Sequence, residues 1–256
     1  MLPNLNLVPF VSVDHMMKLV LSIGVERFLC ELSAFVEEDF ARWEVFDKTA
    51  RIASHSAEGV IELMPTSDGA IYGFKYVNGH PKNMRDGRQT VTAFGVLADV
   101  ANGYPVLFSE MTILTALRTA ATSAVAAKHL ARKDSRTMAI IGNGAQSEFQ
   151  ALAFKALLGI DRLRLYDIDV SASEKCRKNL AGFGFDITIC ENVEAAVEGA
   201  DIVTTVTADK QNATILTDNL VGAGLPASST APTSLSNTRR RRASRVRSSS
   251  SPPTMS

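Results

Sequence analysis

The chain has 256 residues, 46% of them apolar, and its 27 basic and 27 acidic side chains cancel. That length allows one large domain or two smaller ones, and zero net charge argues against general affinity for nucleic acid or a membrane surface. No apolar run approaches the roughly 20 residues of a membrane span. No secretion signal opens the chain, and three scattered cysteines (Cys30, Cys176, Cys190) form neither a disulfide framework nor a metal-ligand spacing, so a cytoplasmic protein without a metal is expected.

In chain order, the first pattern is a helix over residues 25–47, with Phe28, Leu32, Phe35, Val36 and Phe40 at helical spacing. Strand-like segments follow at 59–64, 70–77, 90–97 and 104–109, punctuated by Gly and Asn. An alanine-rich helix over 111–131 closes this part, which reads as a mainly antiparallel sheet flanked by helices. Within it, Glu62 sits between Ile61 and Leu63 in an apolar strand. Lys75 lies between Phe74 and Tyr76 and so points away from their face. Arg118 interrupts a small, apolar helix and is costly there unless it is paired or faces a cleft. On the residues alone, Arg51 reads rather as a solvated or salt-bridged structural charge, Glu62 has the alternative of an outward-facing charge on a half-exposed sheet, and Arg118 stands evenly between the two readings.

From residue 136 the pattern changes to alternating strands (137–141, 162–167, 185–190, 201–206) and helices (147–158, 171–181, 192–199). That alternation implies a parallel sheet with right-handed crossovers. The first turn carries the sharpest motif in the chain: an apolar strand ends at Ile141, Gly142 and Gly144 follow, and a helix begins near Ser147. Strand, tight glycine turn and helix N-terminus together cradle a dinucleotide pyrophosphate. The spacing is G-x-G-x-x-S, with Ser147 in the third position. Asp167 ends the next strand, where a carboxylate accepts both ribose hydroxyls and repels a 2′-phosphate, favouring NAD over NADP. Thr207 and Asp209 end a later strand, at the edge where such sheets bind ligands.

Residues 225–256 differ in kind. Ser, Thr and Pro fill 18 of 32 positions, and six arginines, four of them consecutive at 239–242, face no acid, leaving 21 basic against 27 acidic residues in 1–224. Such a segment buries too little apolar surface to offset ordering, so disorder is expected. An altered reading frame after Gly224 explains it better than a basic nucleic-acid patch.

These segments carry a resemblance. Residues 51–56, 60–65, 74–81, 95–100, 115–123, 141–150 and 201–210 are similar to bacterial members of the ornithine cyclodeaminase/mu-crystallin family, which also holds ketimine reductases and some alanine dehydrogenases. The resemblance implies an α/β chain with three parts. Residues 1–133 would form the substrate-binding and dimerisation domain, 134–224 an incomplete Rossmann-type NAD-binding domain, and 225–256 the disordered tail. It implies conversion of L-ornithine to L-proline and ammonia, with a hydride lent to bound NAD and returned, in a homodimer. Arg51, Lys75 and Arg118 would grip the substrate carboxylate and Glu62 would face its amines. Thr90, Gly142, Asn143, Gly144, Ala145, Gln146, Ser147, Asp167 and Thr207 would hold the cofactor. Members of the family also carry a Gly-Gly-Asp motif beyond the counterpart of Gly224, whose Asp is an acid/base. Here no side-chain carboxylate follows Asp218, so the chain as written is expected to lack turnover. The alternatives are a ketimine reductase or amino-acid dehydrogenase of the same family, or an inactive NAD-binding remnant.

Overall fold

The computed structural model describes residues 7–207 and 227–229. Two sheets are joined by helices. The first has six strands: β1 (Phe10–Val11), β2 (Ile52–His55), β3 (Val60–Ser67), β4 (Ile71–Gly79), β5 (Val91–Asp99) and β6 (Pro105–Glu110). Their order is β1-β6-β5-β4-β3-β2, antiparallel except for the β1–β6 pair. Helices α1 (Val13–Ile23) and α2 (Val25–Ala41) precede most of this sheet, and α3 (Thr112–Leu130) follows it.

The second sheet is parallel throughout. Its strands are β7 (Thr137–Ile141), β8 (Arg162–Tyr166), β9 (Asp186–Ile189), β10 (Ile202–Thr205) and β11 (Ala227–Ser229), ordered β11-β10-β7-β8-β9. Helices α4 (Ser147–Leu158), α5 (Val170–Asn179) and α6 (Val193–Val197) connect them. The chain order reverses at β7, between β8 and β10. The carboxyl ends of strands beside such a reversal form the ligand crevice of doubly wound sheets, and the glycine turn lies there.

One core spans both halves. Alanines 120, 124 and 127 of α3 bring that helix close to Ala151 and Phe154 of α4, and Leu29 of α2 and Met138 and Ile140 of β7 complete the cluster. The expected boundary near residue 133 thus falls in the short link between α3 and β7, with the core continuous across it. Among the described residues no helix is long and apolar enough to cross a membrane.

Lys75, Met64, Gly95 and Ser109 form one row across the first sheet. The face they share packs against the start of α3. A Cβ on Gly95 would meet Met111 Sδ at 2.2 Å and the Phe74 carbonyl at 3.0 Å, so a larger residue here requires Met111 to move. The other face carries exposed Ile52, Ile61, Phe94 and Phe108, with Tyr76 and Phe94 stacked at 4.9 Å.

Several expectations need correction. Helix α1, capped by Ser12 and His15, and the edge strands β1 and β2 add to the sequence reading. Helix α2 ends at Ala41, and a short 3₁₀ turn (Trp43–Val45) follows it. Only a narrow stripe of α2, Leu29 and Ser33 with Phe28 and Leu32 beside them, meets the core. Phe35 is 65% exposed and Phe40 is also exposed, because α3 and α4 pack on α2 from one side alone. Within 225–256, Ala227–Ser229 extends the parallel sheet by pairing with Val203–Thr205. The backbone of these residues finds a ladder on β10 that their composition does not announce. Arg239 to Arg242 and the remaining tail lie outside the described residues.

Phe154 is fully buried at the meeting point of α3 and α4. Phe154→Ala is expected to lower the unfolding free energy by about 3–5 kcal/mol. Phe35→Ala, an exposed change, is expected to stay within about 0.5 kcal/mol. Chemical denaturation of the two variants checks both.

Candidate active site

The first group of site residues lies on the α3 side of the antiparallel sheet. Glu62 pairs with Ala53 of β2, two residues after Arg51. Arg51 Nη1 donates to Glu62 Oε1 at 3.1 Å, which fixes the carboxylate while leaving the arginine half exposed. Lys75 is only 8% exposed. Its Nζ donates to Thr115 Oγ1 of α3 over 3.5 Å, a weak bond. Among the described residues no carboxylate lies within ion-pairing distance of it. Burial, then the positive charges of Arg118 and Arg51, push its pKa down to about 8, with Glu62 opposing them. Arg118 stands three residues beyond Thr115, hence on the same helix face. Burial, then Arg51, lowers its pKa as well. The side chain keeps water-accessible surface, so its hydration is reduced and not abolished, and it remains a cation. Among the described residues its guanidinium makes no ion pair or hydrogen bond. Three cations therefore converge on one carboxylate, and two lack a counter-charge. Such an arrangement leaves Lys75 and Arg118 open to an anion.

The second group is the glycine turn after β7. Gly142 has φ 91°, and a Cβ there would meet the Thr207 backbone nitrogen at 2.9 Å. Its N–H donates to Tyr166 O at 2.8 Å. A Cβ on Gly144 would meet nothing within 4 Å, so the turn faces open space at that residue. The N–H groups of Gly144, Ala145 and Gln146 have no partner among the described residues, and α4 begins directly after them. Ser147 Oγ donates to Gly144 O at 2.8 Å, which closes the turn. Asp167 Oδ2 accepts the Asn143 N–H at 2.6 Å and its Oδ1 accepts the Asp169 N–H at 3.0 Å. Three buried oxygens here, Asn143 Oδ1, Gln146 Oε1 and Thr207 Oγ1, have no hydrogen-bond partner among the described residues. A constrained glycine, open space beyond the second glycine and free N–H groups at a helix N-terminus fit a bound dinucleotide.

The remaining expected site residues are distributed as follows. Thr90 stands just before β5, and its carbonyl accepts the His80 N–H at 2.8 Å. Asp209 lies outside the described residues, and of the segment where the family's Gly-Gly-Asp would fall only Ala227–Ser229 is described. Two participants escaped the sequence reading, Thr115 beside Lys75 and Ser173 beside Asn143. For Thr115 a signal existed, its spacing from Arg118 on one helix. For Ser173 there was none. Among the described residues no cluster of His, Cys, Asp and Glu could hold a metal.

The lowered pKa of Lys75 gives a pH dependence with a definite sign. Between about 8 and the ordinary 10.5 the unfolded chain holds a proton on Lys75 that the folded chain has released. Stability from this group therefore rises with pH across that window, and the burial cost of the charge is felt in full below it. Calorimetric melting across the same window is expected to show the rise in the unsubstituted chain and a flatter profile in Lys75→Met.

Known proteins share this architecture. An ornithine cyclodeaminase of Brucella suis is 78% identical over 223 residues, covering 87% of this chain and 62% of the relative. One of Agrobacterium fabrum is 72% identical over 224 residues, covering 88% and 63%. The chain thus spans about 62% of the length of the curated relatives it matches. Among solved structures, a Thermococcus litoralis Δ1-pyrroline-2-carboxylate reductase in complex with NADH and L-proline superposes with TM-score 0.79 at 28% identity, over 87% of this chain and 68% of that one. A lysine cyclodeaminase superposes with TM-score 0.76 at 28% identity, over 82% and 64%. Residues 13–234 match the ornithine cyclodeaminase/mu-crystallin family, and the chain belongs to it.

Proposed function

We propose that this chain binds NAD at the glycine turn and L-ornithine beside Lys75, and that its reaction is cyclodeamination to L-proline and ammonia. The observation that carries the reading is the buried Lys75, without a carboxylate partner among the described residues, beside Arg118 and the Arg51–Glu62 pair. Lys75, Arg118 and Arg51 hold the substrate carboxylate. Glu62, kept in place by Arg51, accepts hydrogen bonds from the substrate amines. Gly142 to Ser147 hold the pyrophosphate, Thr207 adds a hydroxyl, Asp167 takes the ribose and Thr90 lies toward the nicotinamide. When bound, NAD supplies a hydride acceptor for the substrate α-carbon and donates the same hydride back. The overall reaction consumes no reductant. The identity of 72–78% to proteins named ornithine cyclodeaminase favours L-ornithine over a reducible imine as substrate.

A homodimer follows from the same reading. The apolar face of the first sheet, with Ile61, Phe94 and Phe108 exposed, suits a second copy of the chain. The three free thiols suit the reducing cytoplasm.

Calorimetric titration is expected to show NAD binding more tightly than NADP, and L-ornithine binding to the NAD-loaded chain. Arg118→Ala is expected to weaken ornithine binding by about ten- to a hundredfold, the scale of a charged hydrogen bond. Any turnover yields proline and ammonia with no net change in NADH. NADP binding as tightly as NAD, or net NADH consumption with a cyclic imine, would overturn the reading.

A further inference from the structure

Helix α5 packs one face against the glycine turn and the start of α4. Ser173 Oγ accepts from Asn143 Nδ2 at 2.9 Å. One turn on, the Cys176 thiol meets the Ser147 hydroxyl. One turn further, Asn179 Nδ2 donates to Glu148 Oε1 at 2.8 Å, and Lys175 Nζ lies 3.4 Å from the same oxygen. Asn143 and Ser173 are 0% and 1% exposed, so neither side chain can touch a ligand in the crevice. Burial also holds Cys176 as a thiol, with its pKa pushed up to about 11.

The bonds close into a ring. Ser173 holds the Asn143 side chain, and the Asn143 N–H donates to Asp167 Oδ2. Asp167 Oδ1 accepts the Asp169 N–H, and Asp169 caps α5 by accepting the Ser171 N–H. The phosphate turn, the ribose carboxylate and α5 are thus one hydrogen-bonded unit. Removing the Ser173 hydroxyl leaves the Asn143 amide N–H₂ buried and unpaired, beside an Oδ1 that already lacks a partner. The side chain must then rotate toward water and carry the backbone between Gly142 and Gly144 with it. Free N–H groups serve an anion only when they are aligned before it arrives.

We propose that Ser173 is a positioning residue for the cofactor: acting through Asn143, it sets the geometry of the phosphate turn from behind the crevice. This rests on the reading that the turn binds NAD. It also makes Asp167 a joint of the turn as well as a ribose acceptor, so exchanging it for a smaller residue loosens the turn and weakens NAD without creating an NADP site.

The test uses the full chain. Ser173→Ala is expected to raise the NAD dissociation constant about tenfold in calorimetric titration and to speed hydrogen exchange of the 142–147 amides in the NAD-free protein. In the Asn143→Ala background, Ser173→Ala is expected to add nothing, because the bond is already gone. Asp201→Asn is the control for simple destabilisation. Asp201 accepts the Arg136 and Thr137 N–H groups at the opposite end of the sheet, so this variant is expected to lower Tm and leave NAD affinity unchanged. Unchanged NAD affinity and unchanged exchange in Ser173→Ala, with NAD bound normally by the parent chain, would overturn the assignment alone. An equal loss of affinity in Asp201→Asn would also overturn it. Failure of the parent chain to bind NAD would remove the cofactor reading and this assignment together.

Discussion

Helix α3 is required to serve two partners at once, and both sites depend on how it does so. Its alanines at 116, 120, 124 and 127 let α4 and the parallel sheet close on it, while Thr115 stands against Lys75 of the antiparallel sheet. Larger residues on the first set would push α4, and the glycine turn at its N-terminus, away from β7. The same rigid rod carries Arg118 to the cation cluster. The distance between the cation cluster and the glycine turn is therefore set by packing in one helix.

The cation cluster is costly for the fold. A buried lysine without a carboxylate partner loses hydration and gains little in return, which is why its pKa falls. Arg118 and Arg51 make the position worse, and the single carboxylate, Glu62, is already engaged by Arg51. An arrangement that destabilises the free protein and is relieved by an anion is the signature of a ligand site. The turn after β7 shows the same logic in neutral groups. Its N–H groups at Gly144, Ala145 and Gln146 are unpaired among the described residues and open to an anion at the start of α4.

Much of this was legible in the sequence because the relevant patterns are local. The β7–turn–α4 motif occupies consecutive residues, and Lys75 between two aromatic neighbours declares its face by alternation alone. Long-range partners were not legible. Thr115 and Lys75 are 40 residues apart, and Ser173 and Asn143 are 30 apart. Only the shared helix face of Thr115 and Arg118 hints at the first pairing, and nothing local marks the second. Strand β2 was invisible as a strand because it is exposed at every position and has no buried alternate. Strand β11 is Ala-Ser-Ser, whose extension on β10 rests on backbone bonds. Phe35 and Phe40 misled because their spacing is helical while both stay exposed, Phe40 stacking only on Trp43 among the described residues.

The central claim is that Lys75 and Arg118 are left without a counter-charge for a substrate carboxylate. The most direct measurement follows the Lys75 ammonium itself by NMR of lysine-labelled protein, loaded with NAD, with and without L-ornithine. The account predicts titration near 8 in the free state and a marked upward shift toward the ordinary 10.5 when the substrate carboxylate is bound. A Lys75 pKa that stays in place while ornithine binds would contradict it.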